Sequence, residues 1–491
     1  MSYINPQHKD RLVVVRVLRD AFASLQLHRT PSGSVPFVLE GADEKIVYQI
    51  DEVGGGNDRD VFNFPFLFRA NGDPWHEAND YLLSLLKDRS PTNRRTDDVR
   101  RRASKLLDYL LFCEVEGLDW LDFSGARPSL RPTYKYFYYL ISEGNRSNAV
   151  VNQYTGAIYN FYKFTSEYWH EIDLKRVDTV KQLKLFVQGS KGAKIIDVEK
   201  RSQTRRAPPV SSVSLGFVRD DGEELRPLSN VELGTFLDTI RYEKKWSTIE
   251  RLILLTSLMT GARKQTVLTL RMKNLKGFTE EKLLPEGAYK IHVGPGTGID
   301  TKFDKPQVLY FPKQLAEELV TFACSPMMKK RREKLHLKMA GERSGISISE
   351  DDMYLFLSDQ GNCYYMAKSD PRYTVVKSPQ TGQVTETIKR KLARKASAKF
   401  PKDFSYHWLR ATFAYQLYQR LQLFADKGAM QQGEIIDFIQ GRMHHESRET
   451  TENYLKLFRM TQEKVVAQEL WEDRLFDNSG YSALTIGVQD E

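Results

Sequence analysis

The stretch YHWLRATFA, at residues 406–414, decides the fold class. It places His407 and Arg410 three positions apart, so that both side chains lie on one face of a helix, about one turn from each other. The apolar residues between and after them predict that the opposite face of this helix is buried. A histidine and an arginine presented together are suited to contact an anionic group such as a phosphodiester.

Three further segments of the second half carry side chains of the same chemistry. They are TGARKQTVLTL (260–270) with Arg263, DTKFDK (300–305) with Lys302 between two predicted strands, and HHESRETTENYLK (444–456) with His445 and Tyr454. Two arginines, a lysine, two histidines and a tyrosine are the groups needed to attack a phosphodiester without a metal ion. Each guanidinium offers a planar set of donors that matches phosphoryl oxygens, and an activated tyrosine is a covalent nucleophile.

Two of these residues have a rival of the same type beside them. His444 precedes His445, and Lys305 lies in the same predicted turn as Lys302. Tyr454, taken alone, is one of 24 tyrosines in the chain, and a tyrosine on a helix is usually a packing residue. Residue type by itself therefore does not settle these three assignments.

Length and composition set limits on the class of protein. The chain has 491 residues, with 73 lysines and arginines against 64 acidic residues, so its formal net charge is +9. Hydrophobic residues make up 41% and aromatic residues 11%, which is enough to build cores and excludes wholesale disorder. The length predicts two to four domains, and the positive charge favours nucleic acid as a partner.

Several other classes are excluded by local patterns. No apolar stretch approaches the length of a membrane span, and the N-terminal MSYINPQHKDRL lacks the apolar core of a signal peptide. We therefore expect a cytoplasmic protein with no membrane partner, associated with the nucleoid if it is bacterial. The three cysteines share no CxxC spacing, which argues against a disulfide framework and against a structural zinc site.

The pattern of periodic and polar segments predicts a mainly α-helical protein with a small β-sheet, an α+β fold. Within the N-terminal region, 12–22 is predicted to be a helix and 45–50 a strand. The predicted domains are an N-terminal extra domain at 1–74, a helical DNA-binding domain at 75–188, a basic linker at 189–227, a catalytic domain at 228–475 and a polar tail at 476–491.

Two basic segments are expected to contact DNA phosphates. They are the amphipathic helix predicted at 94–117, with Arg100, Arg101 and Lys105, and the predicted linker, with Lys200, Arg201, Arg205 and Arg206. The basic residues of 389–399 are consistent either with phosphate contacts or with a solvated helix face. The role of the charged insertion at 328–341 stays open.

At the residues quoted above, the sequence resembles the tyrosine recombinase (phage integrase) family. HWLRATFA fits the H-x-x-R box of that family, TGAR fits its first arginine box, and TKFDK followed by a strand fits its lysine hairpin. His445 precedes Tyr454 by nine residues, as in the final box of the family, which favours His445 over His444. The TK pattern likewise favours Lys302 over Lys305. The resemblance covers about 228–472, and more loosely 75–170.

The resemblance implies a tyrosine-recombinase catalytic domain preceded by a helical core-binding domain. It also implies a mechanism in which Tyr454 attacks the scissile phosphate and leaves a 3′-phosphotyrosine and a free 5′-hydroxyl. In that mechanism Arg263 and Arg410 hold the nonbridging oxygens, His407 assists proton transfer with Tyr454, His445 supports the phosphate, and Lys302 protonates the leaving 5′-oxygen. Since the phosphotyrosine conserves the bond energy, no cofactor, ATP or metal is expected.

The family also implies partners: double-stranded DNA, a homo-tetramer assembled on paired sites, and an accessory DNA-bending protein in some members. The expected function is site-specific strand exchange that integrates or excises a mobile element. A type IB topoisomerase or a telomere resolvase would use the same residues, and a noncatalytic DNA-binding protein on the same fold is a further alternative.

The sequence departs from the family pattern at three points. Thr266 occupies the position, three residues after the first arginine, where members usually carry an acid. Met443 and His444 precede His445 where members usually have Leu-Gly. The segments between Arg263 and Lys302, and between Arg410 and His445, are longer than in minimal members. The first departure weakens the expected support of Arg263, and the others are interpreted as insertions.

Overall fold

The computed structural model contains two compact units, Met1–Ser211 with Thr374–Lys377 and Ser212–Tyr373 with Ser378–Glu491. The residues that the structure describes are 6–19, 21, 25–27, 36–40, 45–50, 60–86, 95–144, 146–189, 192–205, 217–220, 223–244, 246–342, 348–398, 400–446, 448 and 450–454. Among the described residues, no helix is both long enough and apolar enough to cross a bilayer.

The first unit combines short antiparallel strands with a bundle of helices. Its strands are β1 (Leu12–Leu18), β2 (Leu25–Leu27), β3 (Pro36–Glu40), β4 (Lys45–Ile50), β5 (Val61–Leu67), β6 (Val180–Gly189) and β7 (Gly192–Arg201). Its helices are α1 (His76–Ser84), α2 (Arg95–Val115), α3 (Pro132–Ser142), α4 (Asn148–Tyr168) and α5 (Leu174–Val177), with 3₁₀ turns at Pro6–Arg11 and Pro128–Leu130. Strands pair in the orders β1-β5, β2-β4-β3 and β6-β7.

Aromatic side chains fill the core of this unit. The rings of Trp75 and Phe161 meet edge to face with their centroids 5.2 Å apart, and both side chains are buried. The hydroxyls of Tyr109 and Tyr162 share a hydrogen bond of 2.7 Å, which satisfies polar groups that would be costly to bury alone. Burial raises the pKa of both tyrosines well above the ordinary value. These rings therefore act in packing.

The prediction of a helix at 12–22 is wrong. Leu12–Leu18 forms strand β1, which pairs antiparallel with β5 from Leu12 opposite Leu67 to Leu18 opposite Val61. Its sequence, LVVVRVL, contains four valines, whose branched side chains favour an extended backbone. The strand predicted at 45–50 is present as β4.

The segment predicted as a linker from residue 189 begins inside a β-hairpin. Strands β6 and β7 pair along their whole length, from Val180 opposite Arg201 to Gly189 opposite Gly192. Lys200 and Arg201 therefore lie in a strand, and the described chain continues irregularly from Ser202 to Arg205.

The second unit is predominantly helical. Its helices are α6 (Asn230–Tyr242), α7 (Thr248–Thr260), α8 (Lys264–Leu268), α9 (Met272–Leu275), α10 (Lys313–Cys324), α11 (Pro326–Glu342), α12 (Val384–Lys395), α13 (Trp408–Asp426) and α14 (Gln432–Met443). The strands β8 (Val218–Asp220) and β9 (Glu223–Leu225) form one antiparallel pair, and β10 (Ala288–Val293) and β11 (Gln307–Pro312) form another. Short 3₁₀ turns lie at Glu280–Lys282, Lys302–Asp304 and Glu350–Asp352. The prediction of a mainly α-helical chain with small β-sheets is confirmed.

The charged insertion helix α11 is held by its own cations. Arg331 donates to the Leu357 carbonyl and pairs with Asp359, and Lys334 donates to the Asp359 carbonyl. Arg332 is almost fully buried and donates to the Ala323 carbonyl at 2.9 Å. These contacts connect α11 to the end of α10 and to the chain near 357–359. The role that the sequence left open for this helix is therefore at least partly structural.

A tight turn at Gly261 ends α7 and directs the following residues. Gly261 has φ of +67°, in the left-handed region that glycine adopts most easily. A Cβ at this position would lie 2.6 Å from the ring of Phe413 on α13, so a side chain is excluded by contact as well as by conformation. Helix α7 can therefore approach α13 closely because residue 261 is a glycine.

We predict that Gly261→Ala lowers the free energy of unfolding by about 2–4 kcal/mol, because the left-handed backbone and the overlap with Phe413 add together. Gly428→Ala is the matched control: it has nearly the same φ, +72°, but no atom within 4 Å of its Cβ position. The control should lose only about 1–2 kcal/mol for the backbone conformation. Denaturant unfolding of both variants measures this difference, and equal losses would contradict the contact with Phe413.

Candidate active site

A cavity of about 290 Å³ in the second unit brings together side chains from separate segments of the chain. Arg263, Lys302, His407 and Arg410, all proposed from the sequence, line its wall. They come from the start of α8, the turn after β10, and the start of α13. Residues that are far apart in the sequence therefore face one space.

Arg410 is the most deeply held of the four side chains. It is 3% exposed, its Nη1 donates to the Gly261 carbonyl at 2.6 Å, and its Nη2 donates to the Met443 carbonyl. Gly261 follows α7 and Met443 ends α14, so both carbonyls lie at helix C-termini, where the partial charge is negative. The guanidinium is thus fixed by two helix ends while it also lines the cavity.

Arg263 and His407 are placed by the starts of two helices. Arg263 is the residue before α8 and follows the turn at Gly261, so its position depends on that turn. His407 is the residue before α13, and the next two residues, Trp408 and Leu409, are buried in the core. The Trp408 indole also donates to the Glu224 carbonyl at 3.2 Å. Core packing of 408–409 therefore orients the polar residues on either side of it toward the cavity.

The structure separates the two candidate lysines. Lys302 lines the cavity, whereas Lys305 forms an ion pair with Glu446. Both ammonium groups lie near the ring of Phe303, at 4.8 Å and 5.6 Å from its centroid. The choice of Lys302 over Lys305 as the catalytic lysine stays a prediction.

The two candidate histidines also have different surroundings. His444 has φ of +53° and ends α14, and its Nε2 accepts a hydrogen bond from the Val308 N–H of β11 at 3.0 Å. His445 instead bonds through Nδ1 to the Thr451 hydroxyl at 3.0 Å. Its ring stacks on Tyr454, with centroids 5.2 Å apart and planes inclined by 28°. His444 therefore fixes the hairpin, and His445 contacts the candidate nucleophile.

Tyr454 has no exposed surface in this structure. It and His445 lie outside the residues that line the cavity. The Met443 carbonyl, two residues before His445, is held by Arg410, so the segment that carries both residues starts at the cavity's edge. Four of the six proposed residues therefore line the cavity, and the other two lie beside each other.

Two further charged residues line the cavity that the sequence motifs did not predict. Lys264, beside Arg263, adds a cation, and Glu386, in the first turn of α12, is the one carboxylate among the described residues of the lining. The adjacency of Lys264 to the TGAR motif was an available signal. Glu386 lies in a polar stretch with no motif, and nothing local in the sequence distinguishes it.

The predicted DNA-binding residues have diverse environments within the first unit. Arg101 and Lys200 are exposed, and Arg100 donates to the Lys377 carbonyl at 2.8 Å. Lys105 approaches Gln153 on α4 at 3.4 Å, and burial lowers its pKa.

The four residues proposed from the predicted linker differ as well. Arg201 donates to the Thr155 carbonyl at 2.8 Å and lies 3.8 Å from Asp178, so its guanidinium is used inside the unit. The backbone of Arg205 is held by the Asn152 side chain through two hydrogen bonds of 2.8 Å, while its side chain is exposed. Arg206 lies outside the described residues.

Comparisons with known proteins give similar solved structures but no family. No protein-family model matches the chain, and no curated protein matches it. The Tn1549 transposon integrase in complex with transposon right end DNA is 15% identical, with a TM-score of 0.37, and covers 79% of this chain and 98% of that one. The same integrase in complex with circular intermediate DNA is 14% identical, with a TM-score of 0.33, and covers 76% of this chain and 94% of that one.

The XerA recombinase is 15% identical with a TM-score of 0.28, over 79% of this chain and 98% of that one. At these identities and TM-scores the likeness carries no argument about function. Any proposal about function therefore rests on the geometry of the cavity.

We predict that His444 makes the second unit less stable in mild acid. Burial, together with the positive charges of Arg410, Arg263 and Arg442, lowers the pKa of His444 to about 4, from an ordinary value of 6.5. The unfolded chain therefore takes up a proton at higher pH than the folded chain does. The stabilising contribution is complete above pH 6.5 and is lost as the pH falls toward 4.

The measurement is denaturant unfolding between pH 4 and pH 7 for the wild type and for His444→Gln. Glutamine accepts the Val308 N–H without titrating, so the variant should show a flatter pH dependence over this range. Carboxylates titrate equally in both proteins and cancel in the comparison. Parallel curves would show that His444 does not contribute.

Proposed function

We propose that this protein is a site-specific tyrosine recombinase, an integrase that cuts and rejoins duplex DNA through a 3′-phosphotyrosine intermediate. The proposal is supported above all by the cavity into which Arg263, Lys302, His407 and Arg410 converge from separate segments. Two guanidinium groups, an ammonium group and an imidazole face this space, and such donors suit a phosphodiester. We further propose that the substrate belongs to a mobile element that the protein integrates or excises.

In the proposed first step, the Tyr454 oxygen forms a bond to the scissile phosphorus and the bond from phosphorus to the 5′-oxygen breaks. Lys302 gives a proton to the departing 5′-oxygen, and the phenolic proton of Tyr454 passes toward His407. The products are a 3′-phosphotyrosine and a 5′-hydroxyl. Attack by a 5′-hydroxyl from the partner strand then reverses these steps, so one ester replaces another throughout.

Arg263 and Arg410 are proposed to bind the nonbridging oxygens as negative charge develops on them. The two carbonyl contacts of Arg410 fix the plane of its guanidinium before DNA binds. A donor that is already oriented stabilises the transition state without paying for reorganisation at the moment of reaction. His445, which is stacked on Tyr454, is proposed to support the phosphate once the tyrosine is in place.

Attack requires Tyr454 to leave its packed position. A side chain with no exposed surface cannot contact a phosphate that arrives with a separate molecule. The movement would separate the ring from His445 and bring its oxygen to the cavity, either in the same chain or in a neighbouring copy. We propose a homo-tetramer on paired sites as the active assembly, with an accessory DNA-bending protein as a further partner, in the cytoplasm or on the nucleoid.

We predict that Tyr454→Phe retains DNA binding but forms no covalent complex, because the ring is kept while the nucleophilic oxygen is lost. The probe is a pool of random-sequence duplexes incubated with the full chain, after which DNA that stays attached to protein in detergent is recovered and sequenced. Tyr418→Phe, which also removes the hydroxyl of a buried helical tyrosine in the second unit, is the matched control and should form the complex normally.

A protease-sensitive DNA adduct that persists in Tyr454→Phe would contradict the assignment of the nucleophile. If the wild type forms no adduct with any duplex, the protein is a noncatalytic DNA-binding protein. Relaxation of a supercoiled plasmid without exchange between paired sites would instead identify a topoisomerase.

A second prediction distinguishes the exposed cations after β6 from the internal one. Lys200→Gln with Arg205→Gln should make the negative slope of log K against log salt shallower by about 0.9 for each phosphate contact that is lost. Arg201→Gln should instead lower the unfolding temperature, because Arg201 is bound to Thr155 and Asp178. DNA binding titrated at several salt concentrations measures the slope, and an unchanged slope in the double variant places these residues away from DNA.

A further inference from the structure

We propose that Thr266 is a positioning residue for Lys302: its hydroxyl holds the turn that presents the lysine ammonium to the 5′-bridging oxygen. This inference rests on the proposed function, because it assigns a role relative to the general acid of that reaction. Thr266 lies outside the residues that line the cavity, so it would act on the reaction only through the turn that carries Lys302.

The turn that carries Lys302 has a costly backbone conformation. Phe303 has φ of +58° and Asp304 has φ of +54°, so two consecutive non-glycine residues are in the left-handed region. Residues with a Cβ are strained in that conformation, and such geometry persists only where surrounding contacts impose it. The side chain at the tip gives no compensating burial, since Phe303 is 72% exposed. Contacts on either side of the turn must therefore hold it.

Asp300, two residues before Lys302, is fixed by three groups. The Thr266 hydroxyl donates to its carbonyl at 3.0 Å, and its N–H donates to the Thr269 hydroxyl at 2.9 Å. The N–H of Lys368 donates to its carboxylate at 3.1 Å and 3.3 Å. The backbone that enters the turn is thereby bonded through its carbonyl to α8 and through its N–H to Thr269, the residue that follows α8.

The residues that leave the turn are held from the other side. The Lys368 ammonium pairs with the Asp304 carboxylate at 2.7 Å and 2.9 Å, so one lysine contacts both Asp300 and Asp304. The Thr301 hydroxyl donates to the Lys305 carbonyl at 2.6 Å, which closes the turn across its base. Lys302 lies between these two sets of contacts.

Thr266 matters because of the helix on which it lies. Arg263 immediately precedes α8, and Thr266 is three residues later, so the hydroxyl bonds the lysine turn to the helix that positions the first phosphate-binding arginine. Thr266 is 2% exposed, so water does not readily replace its hydrogen bond. The distance between the general acid and the bound phosphate is therefore set partly by this contact. A shift of about 1 Å in such a group costs roughly 100-fold in rate.

The test compares two substrates for the full chain. One is the duplex recovered from the covalent complex of the wild type, and the other is the same duplex with sulfur in place of the 5′-bridging oxygen at the mapped scissile position. An alkoxide leaving group needs a proton, whereas a thiolate leaves without one, so a defect limited to the general acid disappears with sulfur. Lys302→Ala provides the full effect of losing the acid, and Lys305→Ala should cleave both substrates normally.

Thr266→Val, which keeps the shape but loses the hydroxyl, should cleave the oxygen substrate about 10- to 100-fold more slowly and the sulfur substrate within about twofold of the wild type. Thr266→Ser should restore cleavage of the oxygen substrate. Thr256→Val is the matched control, because Thr256 is equally buried and its hydroxyl bonds within α7 to the Leu252 carbonyl. It should cleave both substrates at the wild-type rate.

A second variant acts at the other side of the turn. Lys368→Gln removes the ammonium from Asp304 but keeps the N–H that contacts Asp300, and it should show the same selective defect. If Thr266→Val and Lys368→Gln slow both substrates equally, or slow neither, the positioning role is wrong while the recombinase mechanism stands. If the wild type cleaves neither duplex, the proposed function fails, and this inference fails with it.

Discussion

The arrangement of the cavity depends on one buried cation, the guanidinium of Arg410. A charge that is 3% exposed is costly unless other polar groups take the part of the lost water. Two helix C-termini take that part, through the carbonyls of Gly261 and Met443. Each carbonyl is one that its own helix leaves unsatisfied, so the same contacts that stabilise the cation also satisfy α7 and α14.

Because Arg410 holds those two helix ends, it also sets the positions of the residues that follow them. Gly261 leads directly to Arg263, and Met443 leads to His444 and His445. His444 in turn accepts the Val308 N–H, which fixes the hairpin whose turn carries Lys302. Every proposed group except Tyr454 is therefore connected to Arg410 by short stretches of backbone and a few hydrogen bonds. This connection explains why residues so far apart in sequence can share one cavity.

The elements of the second unit could be predicted from local patterns, whereas the connections between them could not. The apolar periodicity of 408–426 and the alternation of 307–312 indicate a helix and a strand without reference to any other segment. The bond between Thr266 and Asp300 joins residues 34 positions apart and leaves no periodic trace. The prediction for β1 fails for a different reason: its apolar run is compatible with a helix, but its four valines favour an extended backbone, and the pairing with β5 stabilises the strand.

The candidate site also carries an electrostatic cost that its substrate would remove. Arg263, Lys264, Lys302 and Arg410 face one cavity with Glu386 as the carboxylate of its described lining, so like charges repel one another in the unbound protein. Burial is the main cause of the lowered pKa of His444, and the charges of Arg410 and Arg263 add to it, so part of that shift reflects this potential. An anion in the cavity would relieve the repulsion and would therefore bind the folded state preferentially. Anion binding and the stability of the second unit are thus coupled, since the positive potential that attracts an anion also weakens the free protein.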